Sequence, residues 1–441
     1  MRLLNLYTLQ FAEFYSEDDK PPYAILSHRW TKHEVGHHDF IDGCDESSDG
    51  YRKILNFCAF ARGRPTRVWN EERLLFEHVA LQWGWLDTIC IDKTSSQELS
   101  ESINSMFAWY NQAAVCYAFL GDVPELDEGS PVVAKAFMES EWFERGWTLQ
   151  ELLAPWDVIF CNRAWEVIGH KCTHGEGGRP VACAAPDHRH VYGPAMNAEI
   201  SQRTSIGSPH LRGPLYLFDA SVACRISWAA RRNTTRIEDI AYCLLGILEI
   251  NMPLLYGEGP RAFMRLQEEL IRRSSDQSIF RWTPDPGLSN RSTSVLAYDP
   301  SDFVDSSNVA ATGQPPDAPY AVTNIGLEIR ARTTKIWDAE LKRQVFVMKL
   351  NCGHYRTDIE GEIFERPNGR EEDFVPSVIL IASISSSTPN SYERVYCSRP
   401  VLAGEGEEVA ERLFYIRAWD GVSSTRRPYG RWRDYSGTHY V

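Results

Sequence analysis

Short apolar runs alternate with longer amphipathic segments between residues 23 and 162, and this alternation limits the folds open to the chain. Four runs predict buried strands: Tyr23–Ser27, Trp83–Asp92, Ala113–Leu120 and Val158–Cys161. The segments between them are long enough to cross back over a sheet, and Tyr51–Arg62 has its apolar residues at helical spacing. The pattern therefore predicts an α/β fold in which a parallel, doubly wound sheet is covered by helices on both faces and joined by right-handed crossovers.

Two further segments of this region predict helices. Leu74–Gln82 is rich in leucine and is interpreted as a short helix. Ser95 and Glu98 have the spacing of a capping box, and the apolar positions that follow keep a helical period to Tyr110.

The composition of the chain changes after residue 165 and again after residue 274. Residues 1–165 form the predicted α/β domain, and residues 166–274 a helical extension with a flexible insertion near 172–200. The extension is expected to hold helices over Arg236–Leu248 and Ala262–Arg273, joined by a glycine-rich turn, with Arg231 and Arg232 on a solvated surface. Short alternating apolar runs then predict a β-rich C-terminal domain over 275–441.

The charge balance argues against two classes of partner. The chain has 46 basic and 60 acidic side chains and a net charge of −14, which disfavours nucleic acid and anionic membrane surfaces as partners. Its 11 cysteines include no CxxC pair, as expected of free thiols in a reducing compartment. The first ten residues lack a signal-peptide pattern, and no apolar run is long enough for a bilayer. We expect a cytoplasmic protein.

Glu151 is the leading candidate for chemistry. It lies three residues after Thr148, so a capping box, in which Glu151 only closes the helix N-terminus, competes with a site role. In a doubly wound sheet, ligands bind beyond the carboxyl ends of the strands, where the first strand ends in Ser27-His28-Arg29-Trp30. A carboxylate there could offset the positive charge that develops on a ribose when a glycosidic bond breaks. Asp87, within the second apolar run, is a weaker candidate.

Two histidine-rich stretches are candidate metal sites. The segment His33-Glu34-Val35-Gly36-His37 matches the HExxH pattern of zinc proteases, which requires one helix carrying both histidines. The preceding residues lack an apolar stripe and Gly36 disfavours a helix, so no metal is predicted. A second set fits no standard zinc spacing and is interpreted as a solvated loop; it comprises Cys172, His174, Cys183, His188 and His190.

Three blocks in this order resemble the fungal heterokaryon-incompatibility (HET) domain: Tyr23–Trp30, Trp85–Asp92 and Arg145–Pro155. The resemblance covers about residues 20 to 160. Downstream, the blocks at 225–229 and 234–259 resemble the helical extension that often follows this domain. The family implies an incompatibility effector that triggers programmed cell death, an innate immune response, through self-association and an unidentified incompatibility partner protein.

The HET domain is in turn similar to TIR domains, which have a flavodoxin-like fold. The TIR motif Trp-Cys-Leu-x-Glu-Leu aligns with Trp147 to Leu152, with Thr148 in the cysteine position. In TIR enzymes its glutamate drives cleavage of NAD at the nicotinamide ribosyl bond. The resemblance implies that Glu151 is catalytic, with NAD as substrate and no cofactor required. Because the reference pKa of glutamate is about 4.3, we expect Glu151 to be ionised near neutral pH.

We expect the nucleotide to contact residues near the end of the first strand and near Glu151: Ser27, His28 and Arg29 as polar contacts, Trp30 and Trp147 as stacking walls, and Asp87 as a weaker candidate. Two alternatives stay open. One is a non-catalytic TIR-like signalling module that acts by homotypic oligomerisation, and the other is a zinc hydrolase built on His33 and His37.

Overall fold

The computed structural model describes most of the chain. The described residues are 1–16, 19–70, 75–125, 131–173, 194–284, 294–312, 318–339, 341–355, 374–384, 390–395 and 407–418.

The helices described are distributed over the first two thirds of the chain. They are α1 (His37–Asp42), α2 (Asp49–Arg62), α3 (Ser96–Gln112), α4 (Pro131–Glu139), α5 (Thr148–Leu153), α6 (Asn197–Thr204), α7 (Val222–Ser227), α8 (Asp239–Tyr242) and α9 (Arg261–Arg273).

The strands described form two large sheets and one hairpin. The N-terminal strands are β1 (Arg2–Asn5), β2 (Phe11–Glu13), β3 (Tyr23–His28), β4 (Thr66–Asn70), β5 (Leu75–Val79), β6 (Trp83–Trp85), β7 (Val115–Phe119), β8 (Val158–Cys161) and β9 (Val167–Lys171). The C-terminal strands are β10 (Ala310–Ala311), β11 (Tyr320–Thr323), β12 (Gly326–Asp338), β13 (Arg343–Tyr355), β14 (Phe374–Ser383), β15 (Ser391–Val395) and β16 (Glu407–Ile416).

The N-terminal sheet has the order β2-β1-β6-β3-β7-β8-β9. Its four central strands, β6, β3, β7 and β8, are parallel to one another. At the edges, β1 and β9 run antiparallel to them, and β2 pairs antiparallel with β1. The prediction of a parallel sheet is therefore confirmed for the centre and wrong for the edges. Counted along the chain, the parallel strands have the order 2-1-3-4, so the winding reverses between β3 and β7, where doubly wound sheets bind ligands.

Strand β3 is the centre of this sheet, and all six of its residues are buried. Helix α2 covers one face, where the Phe57 ring lies 6.4 Å from the Tyr117 ring of β7. A Cβ on Gly84 of β6 would come within 2.8 Å of Phe57, so only glycine permits this close approach of helix and sheet. On the other face, the Tyr110 hydroxyl of α3 donates to the Leu26 carbonyl at 3.0 Å.

Two local predictions in this domain are wrong. The run Trp83–Asp92 is a strand only over β6, because the chain turns at once and Cys90 N donates to Leu86 O. Leu74–Gln82 was assigned to a helix, but β5 pairs antiparallel with β4. Nine residues are too few for the spacing of apolar residues to distinguish a helix from a strand. Pairing with β4 provides hydrogen-bond partners for the backbone N–H and C=O groups.

The extension also departs from its prediction. Within Arg236–Leu248 only α8 is α-helical, and successive turns follow it. The Glu238 carboxylate accepts hydrogen bonds from the backbone N–H of Gly257 at 2.8 Å and Gly259 at 3.0 Å, so it holds the glycine-rich turn and does not cap a helix. Helix α9 is confirmed. Most of the insertion predicted near 172–200 lies outside the described residues.

The C-terminal strands confirm a β-rich region. They form one sheet in the order β10-β13-β14-β15-β16-β12-β11, and an additional pairing of β12 with β13 closes its five central strands on themselves. Buried apolar residues form a continuous cluster from Leu3 to Ala418, so the three regions share one core. Within the described part of the chain, every helix is too short or too polar to cross a membrane.

Candidate functional site

Polar and charged side chains gather where β3 ends. Successive residues of a strand point to opposite faces of the sheet, so Ser27 faces α5 and His28 faces α2. Beyond the last residue of the strand the two faces meet. The charges of Asp87 and Arg145 act on the pKa of Lys53 on one face and on the pKa of Glu151 on the other. The site is therefore one cluster that straddles the tip of β3.

Glu151 belongs to the α5 side of this cluster. Its carboxylate accepts a hydrogen bond of 2.5 Å from Ser27 Oγ, which in turn accepts one of 2.9 Å from Trp142 Nε1. Glu151 is 7% exposed, and burial together with the nearby Asp87 raises its pKa to about 8. The expectation that Glu151 is ionised near neutral pH is therefore wrong for the free protein, because the buried position disfavours the charged form.

The capping-box interpretation of Thr148 and Glu151 is also wrong. Thr148 Oγ1 donates to the carbonyls of Trp142 at 2.5 Å and Arg145 at 2.9 Å, and Trp147 stands at the N-cap of α5 without a side-chain cap. The Glu151 carboxylate consequently faces the tip of β3.

On the α2 side, His28 is buried between two carboxylates. Its Nε2 lies 3.7 Å from Glu34 Oε2 and its Nδ1 lies 3.9 Å from Asp87 Oδ1, and within the described residues neither ring nitrogen has a hydrogen-bond partner. Glu34 accepts a hydrogen bond of 2.5 Å from Lys53 Nζ. Burial and the Lys53 charge lower the pKa of His28, so the imidazole is neutral. Burial also lowers the pKa of Lys53.

Trp30 forms the outer edge of the cluster. Its Nε1 donates to Asp87 Oδ2 at 2.8 Å, and Lys93 Nζ lies 3.3 Å from the centroid of its ring. The Arg145 guanidinium carbon lies 5.5 Å from the same centroid. Burial lowers the pKa of Lys93 to about 8. The partly exposed indole of Trp30 thus lies close to two cations, Lys93 and Arg145, at the outer edge of the cluster, which we call its entrance.

The structure brings together some of the predicted contact residues and separates others. Ser27, His28, Trp30 and Asp87 lie in the cluster with Glu151. Arg29 instead pairs with Glu141 on the surface, and Trp147 Nε1 donates to Asp239 of the extension at 3.2 Å.

Sequence reasoning missed the groups that give the cluster its charge. They are Lys53, Lys93, Arg145 and Glu34, and the sequence singles out Glu34 only as part of the HExxH pattern. Trp142, the hydrogen-bond donor to Ser27, was also missed. The single signal available was the position of Arg145 beside Gly146 in the block that carries Glu151.

The helical extension fixes the N-terminus of α5. Arg232 is 6% exposed, and its Nη1 donates to the Arg145 carbonyl at 2.9 Å and to Thr148 Oγ1 at 3.0 Å. Gly146 N donates to the Asn233 carbonyl at 2.8 Å, and a Cβ on Gly146 would lie 2.5 Å from Thr234 Cγ2. The prediction that Arg232 is solvated is wrong, because backbone acceptors of the first domain bury it.

The zinc alternative fails on geometry. Helix α1 begins at His37 and His33 precedes it, so the two residues do not share a helix. The His37 Nδ1 lies 2.6 Å from the Ile89 carbonyl. The described residues contain no group of three or more metal-ligating side chains, and of the second histidine-rich set all but Cys172 lie outside them.

This arrangement can perform two kinds of chemistry. A protonated Glu151 can donate a proton, and an ionised one can stabilise a positive charge. The cations around Trp30 can hold an anionic group of the same ligand.

Comparisons with known proteins match two parts of this chain. Residues 23–135 match the family described as "Heterokaryon incompatibility protein (HET)", and residues 261–294 match a domain of unknown function, DUF8212. The chain is similar to the "Vegetative incompatibility protein HET-E-1" of Podospora anserina, with 41% identity over 256 residues. That alignment covers 57% of this chain but 16% of the relative's length. No solved structure matches the chain significantly.

Proposed function

Since residues 23–135 carry a HET domain, we propose that this chain acts in heterokaryon incompatibility as a cell-death effector that cleaves the nicotinamide glycosidic bond of NAD through Glu151. The similarity to a vegetative incompatibility protein supports the biological role. The meeting of Glu151 with the tip of β3 supports the chemistry, since the hydrogen bond from Ser27 brings the carboxylate to the ligand-binding edge of the sheet. The 2-1-3-4 order of the parallel strands supports a TIR-like domain.

The proposed reaction is a hydrolysis. The bond between ribose C1′ and the nicotinamide nitrogen breaks, and its electron pair leaves with nicotinamide, which becomes neutral. Water adds to C1′ and loses a proton, so that ADP-ribose forms. The positive nicotinamide ring favours ionisation of Glu151 on binding, which counteracts the raised pKa of the free protein, and the carboxylate then stabilises the charge that moves onto the ribose.

The cations around Trp30 suit the diphosphate of NAD. Lys93 and Arg145 both lie against the Trp30 ring and belong to no short ion pair among the described residues. They would hold the diphosphate while Asp87 keeps the indole in place through its hydrogen bond from Nε1. These are positioning roles, whereas Glu151 faces the reacting atoms.

The test is nicotinamide release from NAD by the purified full chain. Glu151→Gln should abolish release while circular dichroism and the unfolding midpoint show a folded protein. Glu139→Gln is the matched control, because Glu139 is exposed and its ion pair among the described residues is with Lys135 on the surface of α4. Equal rates for Glu151→Gln and wild type would refute the catalytic assignment.

A second candidate function is a non-catalytic signalling module that acts by self-association. The observation in its favour is the near-complete burial of Glu151, which also fits a residue that holds α5 to β3. A cell-death assay separates the two. If Glu151→Gln triggers death as wild type does while nicotinamide release is zero in both, the interaction module is correct. Mass photometry of the same variants would show whether the chain self-associates.

A further inference from the structure

A second cavity lies away from the β3 tip, between the first domain and the extension. Its volume is about 420 Å³ when the solvent at its open mouth is included, and three arginines line it: Arg203 at the end of α6, with Arg231 and Arg232 after α7. Ser205 and Ser227 also line it. A cavity with this lining presents donors and positive charge to whatever enters it.

Arg232 is the most informative residue of this wall. It is 6% exposed, and its Nη2 has no hydrogen-bond partner among the described residues. Its other nitrogens donate to the carbonyls of Trp228 and Arg145 and to Thr148 Oγ1. A buried guanidinium without a carboxylate partner costs free energy, which an anion would recover.

The other two arginines differ in their pairing. Arg203 forms an ion pair of 3.1 Å with Glu144, which is the acidic side chain next to the cavity, and its own side chain is 24% exposed. Arg231 is exposed and has no ion pair among those found in the described residues. Three guanidinium groups against one carboxylate leave a net positive cavity.

We propose that this cavity binds the phosphate group of a small molecule through Arg203, Arg231 and Arg232. The planar guanidinium fork matches phosphate oxygens in pairs, and a phosphate in the cavity would supply the counter-charge that Arg232 lacks among the described residues. The same Arg232 holds the first turn of α5 through Thr148, so the occupied cavity adjoins the helix that carries Glu151. The site is independent of the proposed NAD cleavage.

The test is isothermal titration calorimetry of the full chain with inorganic phosphate and, separately, with adenosine monophosphate, at constant ionic strength set with chloride. Saturable binding that depends on Arg231 is expected for at least one probe, and tighter Arg231-dependent binding of the nucleotide would show that the phosphate is recognised as part of an ester. Arg231→Gln should weaken binding about tenfold and Arg231→Glu should abolish it, because Arg231 is exposed and its loss leaves the fold intact.

The matched control is Arg52→Gln on α2, an exposed arginine paired with Asp49, and it should bind as wild type does. Three results would each overturn the proposal: no saturable heat with either probe, unchanged affinity in Arg231→Glu, or an equal loss in Arg52→Gln, which would indicate general charge screening.

Discussion

Ser27 Oγ donates a 2.5 Å hydrogen bond to the carboxylate of Glu151, a residue 124 positions further along the chain. The bond joins the last residue of β3 that faces α5 to helix α5 itself, which packs against the same sheet. This contact fixes the position of the candidate catalytic group. Burial raises the pKa of Glu151 to about 8, although the hydrogen bond from Ser27 acts in the opposite direction.

Replacing Glu151 by Gln should change how stability depends on pH. The pKa of Glu151 is about 8 in the folded chain, against 4.5 for an unperturbed glutamate, so between these values the folded state keeps a proton that the unfolded state has released. Wild-type stability should then fall by up to about 1.4 kcal/mol per pH unit through this window, and Gln lacks the penalty. Urea unfolding at pH 5, 6.5 and 8 measures it.

For this prediction Glu139→Gln is the control, since Glu139 is exposed on the surface of α4. If wild type and Glu151→Gln show parallel stability curves from pH 5 to 8, the carboxylate is ionised in the folded protein and the raised pKa is wrong.

Ser27→Ala should destabilise the fold by about 1–3 kcal/mol, because the buried Trp142 Nε1 loses its acceptor as Glu151 loses its donor. A double-mutant cycle with Trp142→Phe isolates the indole contribution. The two changes should cost less together than their sum, and strict additivity would show that Trp142 does not depend on Ser27.

The sequence revealed the centre of the fold because its strands are buried on both faces. Such strands are continuous apolar runs, as in β3, β7 and β8, and these three were predicted within two residues at each end. The edge strands β1 and β2 were missed, since they are short and owe their pairing to contacts with each other and with β6. The sequence of Arg2–Asn5 contains no local pattern that indicates its pairing with β2 and β6.

The site was predictable only in part, for a related reason. The strand-end rule located Ser27 and the helix block located Glu151, because both depend on local pattern. Lys53 reaches Glu34 across 19 positions and Arg232 reaches Thr148 across 84. Charged residues are usually solvated, so the burial of Lys53 and Arg232 follows from the packing of helix α2 and of the extension, which no local signal encodes.

Gly146→Ala should destabilise the protein by about 1–3 kcal/mol, because the added methyl would overlap Thr234 Cγ2 at 2.5 Å. Thr234→Ser removes that methyl group and keeps the hydroxyl that donates to the Arg236 carbonyl at 2.7 Å. The double variant should recover most of the loss, as measured by thermal unfolding. A double variant no more stable than Gly146→Ala alone would place the clash elsewhere.

Lys53→Met should cost about 3–5 kcal/mol, because it leaves the buried Glu34 carboxylate without its cation. The combined variant Glu34→Gln with Lys53→Met should be more stable than Lys53→Met, since no unpaired charge remains. Chemical denaturation of the three proteins gives the comparison. If the single and double variants unfold together, the ion pair contributes through packing and not through charge.

Asp87→Asn should lower the pKa of Glu151 below about 8, because Asp87 is the neighbouring charge that raises it after burial itself. The amide oxygen can still accept the hydrogen bond from Trp30 Nε1, so the entrance keeps its geometry. The measurement is the titration of the Glu151 carboxyl carbon by 13C NMR, with the signal assigned by its absence in Glu151→Gln. Asp42→Asn, an exposed aspartate of α1, should leave the midpoint where it is.

The pH profile of nicotinamide release should move in the same direction as the NMR midpoint if Glu151 performs the chemistry. A midpoint that moves while the activity profile stays fixed would separate the carboxylate from catalysis, and an unmoved midpoint would show that Asp87 does not act on Glu151 across the tip of β3.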